Sequence, residues 1–598
     1  MSEKRRPASP ISRSWLPVII IAIGIVLTLW MRQFTHNSVF FNSQSGLKAL
    51  VAQQLGEQIK AGSFPLDISL QPPKTLWISE LWQTGLSPFT PPITFEVATQ
   101  TSRQTFANVP FTFPLVSAPF YALLGKRGLY VVPLVSLWII WLRFWQIGNR
   151  ARWGTVPLCI GLSALVLASP LTLHSWIYGE YTLAVAIAFW AISSLIFPKN
   201  RYLSKPTLFW NGCLIALSVW LSPELIGIVI AISLLALCGW LKPNWRTFPN
   251  FTANKAIILI GAMVCTLGLL LTINYATYAQ IFISNSPALT SFATTIKASY
   301  LTNLTTFQAY FPLVWVVALA ALLSPELKQP TVKINPLKSS HLADQKGQFF
   351  DRIGIRKTLD SQIVPGRFAL WLSILCLLVT LPIGTLIGSS GDAQWSPSAY
   401  LILIPLLSTV LAEQLRAGFF RPWSRQLLII GAVVAILLGI HINVGYGIFT
   451  FYKNGPNTSL KANYEQTLPT ITALRESPLT YVATADEAIA QTLLPALPNK
   501  TFFFVNTPEQ ARQLTAALLE QEVSEFLYLC SPNQTCAIPN AESEDLTLAD
   551  NRHTITSTSI GEYGRYPAYQ MTIAEVTNPP TDAPLPAPSA PSPNSATD

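Results

Sequence analysis

Five carboxylates stand where chemistry at a membrane surface could use them. Asp67, Glu80 and Glu96 lie in one long loop, Glu180 ends "LTLHSWIYGEY" with Tyr181, and Glu224 closes "LSPE". A carboxylate can act as a general base or orient an acceptor hydroxyl. Glu180 and Glu224 sit in short turns beside apolar runs, where an ionised group is costly unless it has a partner or a task. The plain alternative is that such turns are wet, and it is the stronger one for Glu224. His174 precedes Glu180 in the same turn and is a neighbour to consider. Lys48, in "SGLKALVAQQL", is the nearby cation. The five histidines are widely scattered and show no metal-ligand spacing. Neither a Walker loop nor a GxSxG elbow is found. No metal or cofactor is therefore expected, with a divalent ion left open.

These residues must be held by elements that mostly do not face water. Of the 598 residues half are hydrophobic and only 11% are charged, against about 25% in an ordinary soluble protein. The mean hydropathy is +0.39. The net charge of +10 sits in short basic clusters between apolar runs, the distribution of membrane loops and not of a nucleic-acid surface. The composition implies a polytopic membrane protein in contact with lipid, and no nucleic acid as partner.

The first apolar run, Trp15 to Met31, follows a basic N-terminus (1–14). No small-residue cleavage site follows "LTLWMRQF", so the run reads as a retained span. Further runs lie near 128–146, 156–173, 181–197, 207–221, 224–240, 256–274, 309–324, 367–389, 398–414 and 427–447. Several fall short of the roughly 20 residues a straight span needs. With the first run pointing outward, the connections holding Arg143, Arg150 and Arg152, then Lys199, Arg201 and Lys205, then Lys242, Arg246 and Lys255 all fall on the cytoplasmic side. So do the long loop 325–366 and Arg416, Arg421 and Arg425. The short connections 174–180, 222–223 and 390–397 carry no Lys or Arg. This one-sided charge predicts about eleven spans in the plasma membrane, N-terminus in and C-terminus out.

The outer loop 32–127 is expected to hold two membrane-hugging helices. In "FFNSQSGLKALVAQQLGEQIKAG", Leu47, Leu50, Val51, Leu55 and Ile59 share one face near 45–61, and Lys48, Gln53, Gln54, Glu57 and Lys60 take the other. "FTFPLVSAPFYALLGKRG" predicts the second near 112–124, lying in or re-entering the interface. With this loop, the membrane domain is expected over 15–447. Beyond it, "PLTYVATADEAIAQTLLPAL", "KTFFFVNTPEQARQLTAALLEQ" and "SEFLYLC" alternate strand and helix patterns, predicting an extracytoplasmic α/β domain over 448–577 with parallel pairing. A second strand-rich piece follows at 553–576, and the Pro/Ala/Ser-rich tail 578–598 is expected to be disordered. Cys530 and Cys536 stand outside the apolar runs that hold the other five cysteines. In an oxidising compartment the turn-forming "SPNQT" between them would let them close a disulfide.

This order of elements resembles the GT-C superfamily, polytopic glycosyltransferases that take sugars from polyprenyl-phosphate carriers. "SGLKALVAQQL", "FPLVSAPFYALLGKRGLYVVPLV" and "SPLTLHSWIYGEYTLAVAIA" carry the local likeness. The resemblance implies transfer of a sugar from a polyprenyl-phosphate donor to an envelope acceptor on the outer membrane face. It assigns catalysis to Glu180 and Asp67, and substrate binding to Asn42, Lys48, Tyr181 and His174. It also exposes a departure. Such enzymes place an acid just outside the first span, and here "FFNSQSGLK" has Asn42, a neutral amide that cannot serve as a base. "GEY" similarly keeps Glu180 but lacks a following histidine, and "LSPE" has Ser222 where a basic residue could hold phosphate. Three readings follow: an enzyme using another carboxylate, a degenerate relative that binds lipid-linked sugar without turnover, or a transporter. Ionisable residues in mid-span and an internal repeat, which a transporter should show, are not evident. The sugar, acceptor and oligomeric state are not encoded in any motif.

Overall fold

The computed structural model describes residues 15–575 apart from short gaps and the stretches 242–252, 279–303, 324–364, 383–399, 444–457 and 539–546. The basic N-terminus, the bulk of the 325–366 loop, the tail 578–598 and Asn42 therefore lie outside the described residues. Two compact units emerge, Met1–Leu70 with Pro91–Tyr464, and Gln71–Thr90 with Glu465–Asp598.

The first unit is helical. Helix α1 (Leu16–Arg32) is followed by α2 (Ser43–Lys60). After α3 (Leu76–Leu81), which belongs to the other unit, comes a two-stranded hairpin of β1 (Thr94–Ala98) and β2 (Arg103–Ala107). Next are α4 (Thr112–Leu124), α5 (Val131–Ala151), α6 (Thr155–Val166), the single turn α7 (Leu171–His174), α8 (Tyr181–Ile196) and α9 (Lys205–Leu221). The unit continues with α10 (Ile226–Leu241), α11 (Ala253–Tyr278), α12 (Leu313–Leu323), α13 (Pro365–Leu375), α14 (Leu403–Arg416) and α15 (Pro422–Ile440). Trp141 and Phe144 of α5, Phe189 of α8 and Leu403, Leu406 and Leu411 of α14 anchor its buried core.

Other helices turn apolar side chains outward. Ile257, Val264 and Leu269 of α11 and Leu427, Ile430 and Leu437 of α15 are exposed, a surface suited to hydrocarbon and unfavourable in water. Among the described residues three helical stretches are long and apolar enough to cross a bilayer: Thr112–Ala151, Asn254–Tyr278 and Trp423–Asn443. The first bends at Gly125 (φ 62°), which separates α4 from α5 through a 3-10 turn. Five more apolar helices are shorter, at 10–17 residues. Among the described residues these apolar helices do not establish the expected count of about eleven spans. The 3-10 turn Pro223–Leu225 and the π turn Cys376–Thr380 are continuous with two of these shorter helices.

The second unit centres on a five-stranded sheet ordered β4-β3-β5-β7-β6. Strands β3 (Tyr481–Thr484), β4 (Thr501–Phe504) and β5 (Glu525–Leu529) pair in parallel, with α17 (Pro508–Leu519) between β4 and β5. A helix α16 (Thr458–Glu476) leads into them. Their short, continuously buried runs are what covered parallel strands require. The hairpin of β6 (His553–Tyr563) and β7 (Tyr566–Glu575) adds antiparallel to β5. Residues 71–90, read from sequence as part of the outer loop, group with this unit. Ile78, Leu81 and Leu86 enter its core beside Phe503 and Phe526, and the Trp77 ring lies 5.5 Å from Tyr481. Gln513 Nε2 donates to Thr84 Oγ1 at 2.7 Å. A disulfide joins Cys530 and Cys536, whose Cα atoms are 5.5 Å apart.

Candidate functional site

Helix α2 runs over Ser43–Lys60, and residues 45–52 are buried on every side. Gly56 permits this: a Cβ there would come within 2.5 Å of Tyr121 Cδ1 and 3.1 Å of the Ala118 carbonyl on α4. Lys48 is buried beside this contact, while Glu57 and Lys60 of the same polar set are exposed. Lys48 is 3% exposed. A helix period cannot register this, because the partner lies 132 residues away.

That partner is Glu180. Lys48 Nζ donates to both of its carboxylate oxygens, at 2.8 and 2.7 Å, with side chains only 4% and 10% exposed. Glu180 is the residue immediately before α8, and its own carbonyl accepts from Ala184 N. An anion at that helix end is further favoured by the backbone dipoles. In so buried a setting each charge offsets part of the other's desolvation cost. The ammonium has three donors, so one remains for a ligand while the pair is closed.

Tyr181 and His174 complete the group. Lys48 Nζ is 5.8 Å from the Tyr181 ring centroid, and the His174 ring meets Tyr181 edge-on at 6.1 Å. His174 Nε2 shares a 2.7 Å hydrogen bond with Tyr400 Oη. Burial lowers its pKa to about 4, so the ring is neutral at physiological pH. His174 Nδ1 and Trp176 Nε1 are buried without a hydrogen-bond partner among the described residues. Such groups are uncommon, and each is an open position for a ligand hydroxyl or water.

Around this group α1, α2, α4 and α5 converge. Tyr178 packs its ring on Phe113 of α4 at 5.0 Å, on Tyr130 before α5 at 6.1 Å, and on Phe40 before α2 at 6.4 Å. Burial pushes the Tyr178 hydroxyl pKa up. The Arg32 guanidinium at the end of α1 stacks 3.7 Å over Tyr130 and hydrogen-bonds Asn37. Sequence reading passed over Tyr178 and Arg32, although both stand inside quoted stretches. Tyr400 carries no local signal at all.

Asp67 does not join this group. It is exposed, its Oδ1 accepts from Ser69 N–H and Oγ at 2.9 and 2.7 Å, and its backbone exchanges two hydrogen bonds with Gln58. Among the described residues no cluster of three or more His, Cys, Asp or Glu could hold a metal.

No protein-family model matches the chain, and no curated protein matches it. Some solved structures are similar to it at low identity. ArnT from Cupriavidus metallidurans bound to undecaprenyl phosphate is 12% identical with a TM-score of 0.46, over 92% of this chain and 97% of that one. The archaeal oligosaccharyltransferase AglB from Archaeoglobus fulgidus, solved with an inhibitory peptide and a dolichol-phosphate, is 11% identical with a TM-score of 0.42, over 96% and 76%. At these scores no residue role passes from them to this chain.

Proposed function

We propose that this chain is a membrane glycosyltransferase that moves a sugar from a polyprenyl-phosphate carrier to an acceptor of the cell envelope, on the outer face of the plasma membrane. The observation that carries the reading is the buried Lys48–Glu180 pair. Beside a carrier lipid, Lys48 is the cation for the donor phosphate. Glu180, freed as Lys48 turns to the phosphate, is the carboxylate that takes the acceptor proton. His174 Nδ1 and Trp176 Nε1 offer hydrogen bonds to sugar hydroxyls, and Tyr181 offers a ring face. Of the two candidate carboxylates Glu180 leads, since Asp67 is exposed and engaged with Ser69.

A second reading, a carrier-binding relative without turnover, draws on two features. Both Glu180 oxygens are held by Lys48, and Asn42 replaces an acid. Purified protein in sealed vesicles, given polyprenyl-phosphate sugars and envelope acceptors, separates the readings. Sugar consumption supports the enzyme. Binding without consumption, with some turnover gained by Asn42→Asp, supports the binder. Solute movement with neither binding nor consumption overturns both in favour of a transporter.

A further inference from the structure

Arg143 lies in α5, 12 residues beyond Val131, which is about 18 Å along a helix. It is 3% exposed. Its Nε donates to Ser193 Oγ at 2.8 Å and its Nη2 to Ser194 Oγ at 2.6 Å. The guanidinium carbon is 4.5 Å from the Trp190 ring centroid. Both serine hydroxyls donate in turn to the Trp190 carbonyl, which aims their lone pairs at the arginine. Two hydroxyls and a ring orient a cation, but they do not neutralise it.

Among the described residues no carboxylate pairs with Arg143. The neighbour that acts on it electrostatically is Arg150, of like charge. A buried charge without a counter-charge is costly, and the guanidinium still has three of its five N–H donors unused. Helices α5 and α8 run in parallel, because Thr182 hydrogen-bonds Pro133 at one level and Ser193 hydrogen-bonds Arg143 at the other. Their C-terminal ends therefore share one side. The last turn of α5 and the residue after it are basic at Arg150 and Arg152, and the sequence past α8 is basic at Lys199, Arg201 and Lys205. Trp190 and Leu142 are exposed at this level, and Ser194 is half-buried, so the arginine sits just under an apolar, lipid-suited surface.

We propose that Arg143, Ser193, Ser194 and Trp190 form a binding site for the phosphate headgroup of an anionic phospholipid, in the leaflet facing the C-terminal ends of α5 and α8. A planar fork of donors matches phosphate oxygens in pairs. Tryptophan favours the headgroup level, and basic residues between helices on the cytoplasmic side attract anionic lipids. The site is separate from Lys48–Glu180: Ser193 is 13 residues along the chain from Glu180, about 20 Å if helical.

The test uses the full-length protein in phosphatidylcholine nanodiscs with increasing phosphatidylglycerol, reading the melting temperature. Native mass spectrometry of detergent-purified protein then counts bound phosphatidylglycerol. Wild type should be stabilised by phosphatidylglycerol, and Arg143→Gln should bind it about five- to tenfold more weakly. Arg143→Lys, which keeps the charge but loses the fork, should fall between. Inorganic phosphate should give no comparable stabilisation; equal stabilisation would overturn the lipid as source. If Arg143→Gln fails to fold, Ser194→Ala should still weaken phosphatidylglycerol binding. Wild type binding phosphatidylglycerol no better than phosphatidylcholine, or folded Arg143 and Ser194 variants binding it as wild type does, would overturn the proposal.

Discussion

Replacing Lys48 by Met keeps the length of the side chain and removes the charge that Glu180 meets at 2.7 Å. Both side chains are nearly inaccessible, so water cannot solvate the stranded carboxylate. Removing one member of such a pair costs about 3–5 kcal/mol, most of it the burden of the charge left behind. For a unit of this size that corresponds to a fall on the order of 5 °C in melting temperature. The double variant Lys48→Met with Glu180→Leu leaves no uncompensated charge and should recover most of the loss. Melting of wild type, both single variants and the double variant in nanodiscs completes the cycle. Donor binding should behave differently, falling in Lys48→Met and staying low in the double variant, because the phosphate cation is gone from each. A Lys48→Met protein as stable as wild type would refute the reasoning, as would a double variant no better than the single.

Three further outcomes are expected. The folded pKa of His174, about 4, lies below its unfolded value near 6.5. Stability is therefore fully present above pH 6.5 and is lost as pH falls toward 4, by about 3 kcal/mol in all; a His174→Gln variant should lack this part of the acid dependence in pH-resolved melts. Opening the Cys530–Cys536 loop by changing both residues to Ser should cost the C-terminal unit about 2 kcal/mol in the chain-entropy picture, and alkylation without reduction should label neither cysteine in wild type. Gly56→Val should force α2 away from Tyr121 and Ala118 at about 1–3 kcal/mol. Because α2 carries Lys48, donor binding measured on the same samples should weaken with it.

What the sequence disclosed depended on whether its signal was local. Helices α2 and α4 were legible because apolar residues and breakers mark them over a dozen or more consecutive positions. The parallel strands β3, β4 and β5 were legible as short apolar runs between turn residues. Other features are settled by residues far apart. Lys48 looks like a surface lysine until Glu180 arrives, and Tyr400 meets His174 from 226 positions away. The segment 71–90 reads as loop because its apolar residues are few, yet Ile78, Leu81 and Leu86 complete the core of the C-terminal unit. The hairpin "TFEVA" with "RQTFA" carries little sequence signal, as each strand is five residues long and the second opens on three consecutive polar residues.

The central claim, that Glu180 is the working carboxylate of a lipid-linked sugar transfer, is tested most directly by Glu180→Gln. The change keeps the shape and one oxygen to accept from Lys48, but removes the charge and the basic oxygen. Transfer from a polyprenyl-phosphate sugar to an envelope acceptor is measured in proteoliposomes, with donor binding measured on the same preparation. The account predicts a loss of about 10²–10⁴-fold in turnover with donor binding retained. Turnover at the wild-type rate in a folded Glu180→Gln protein would contradict it.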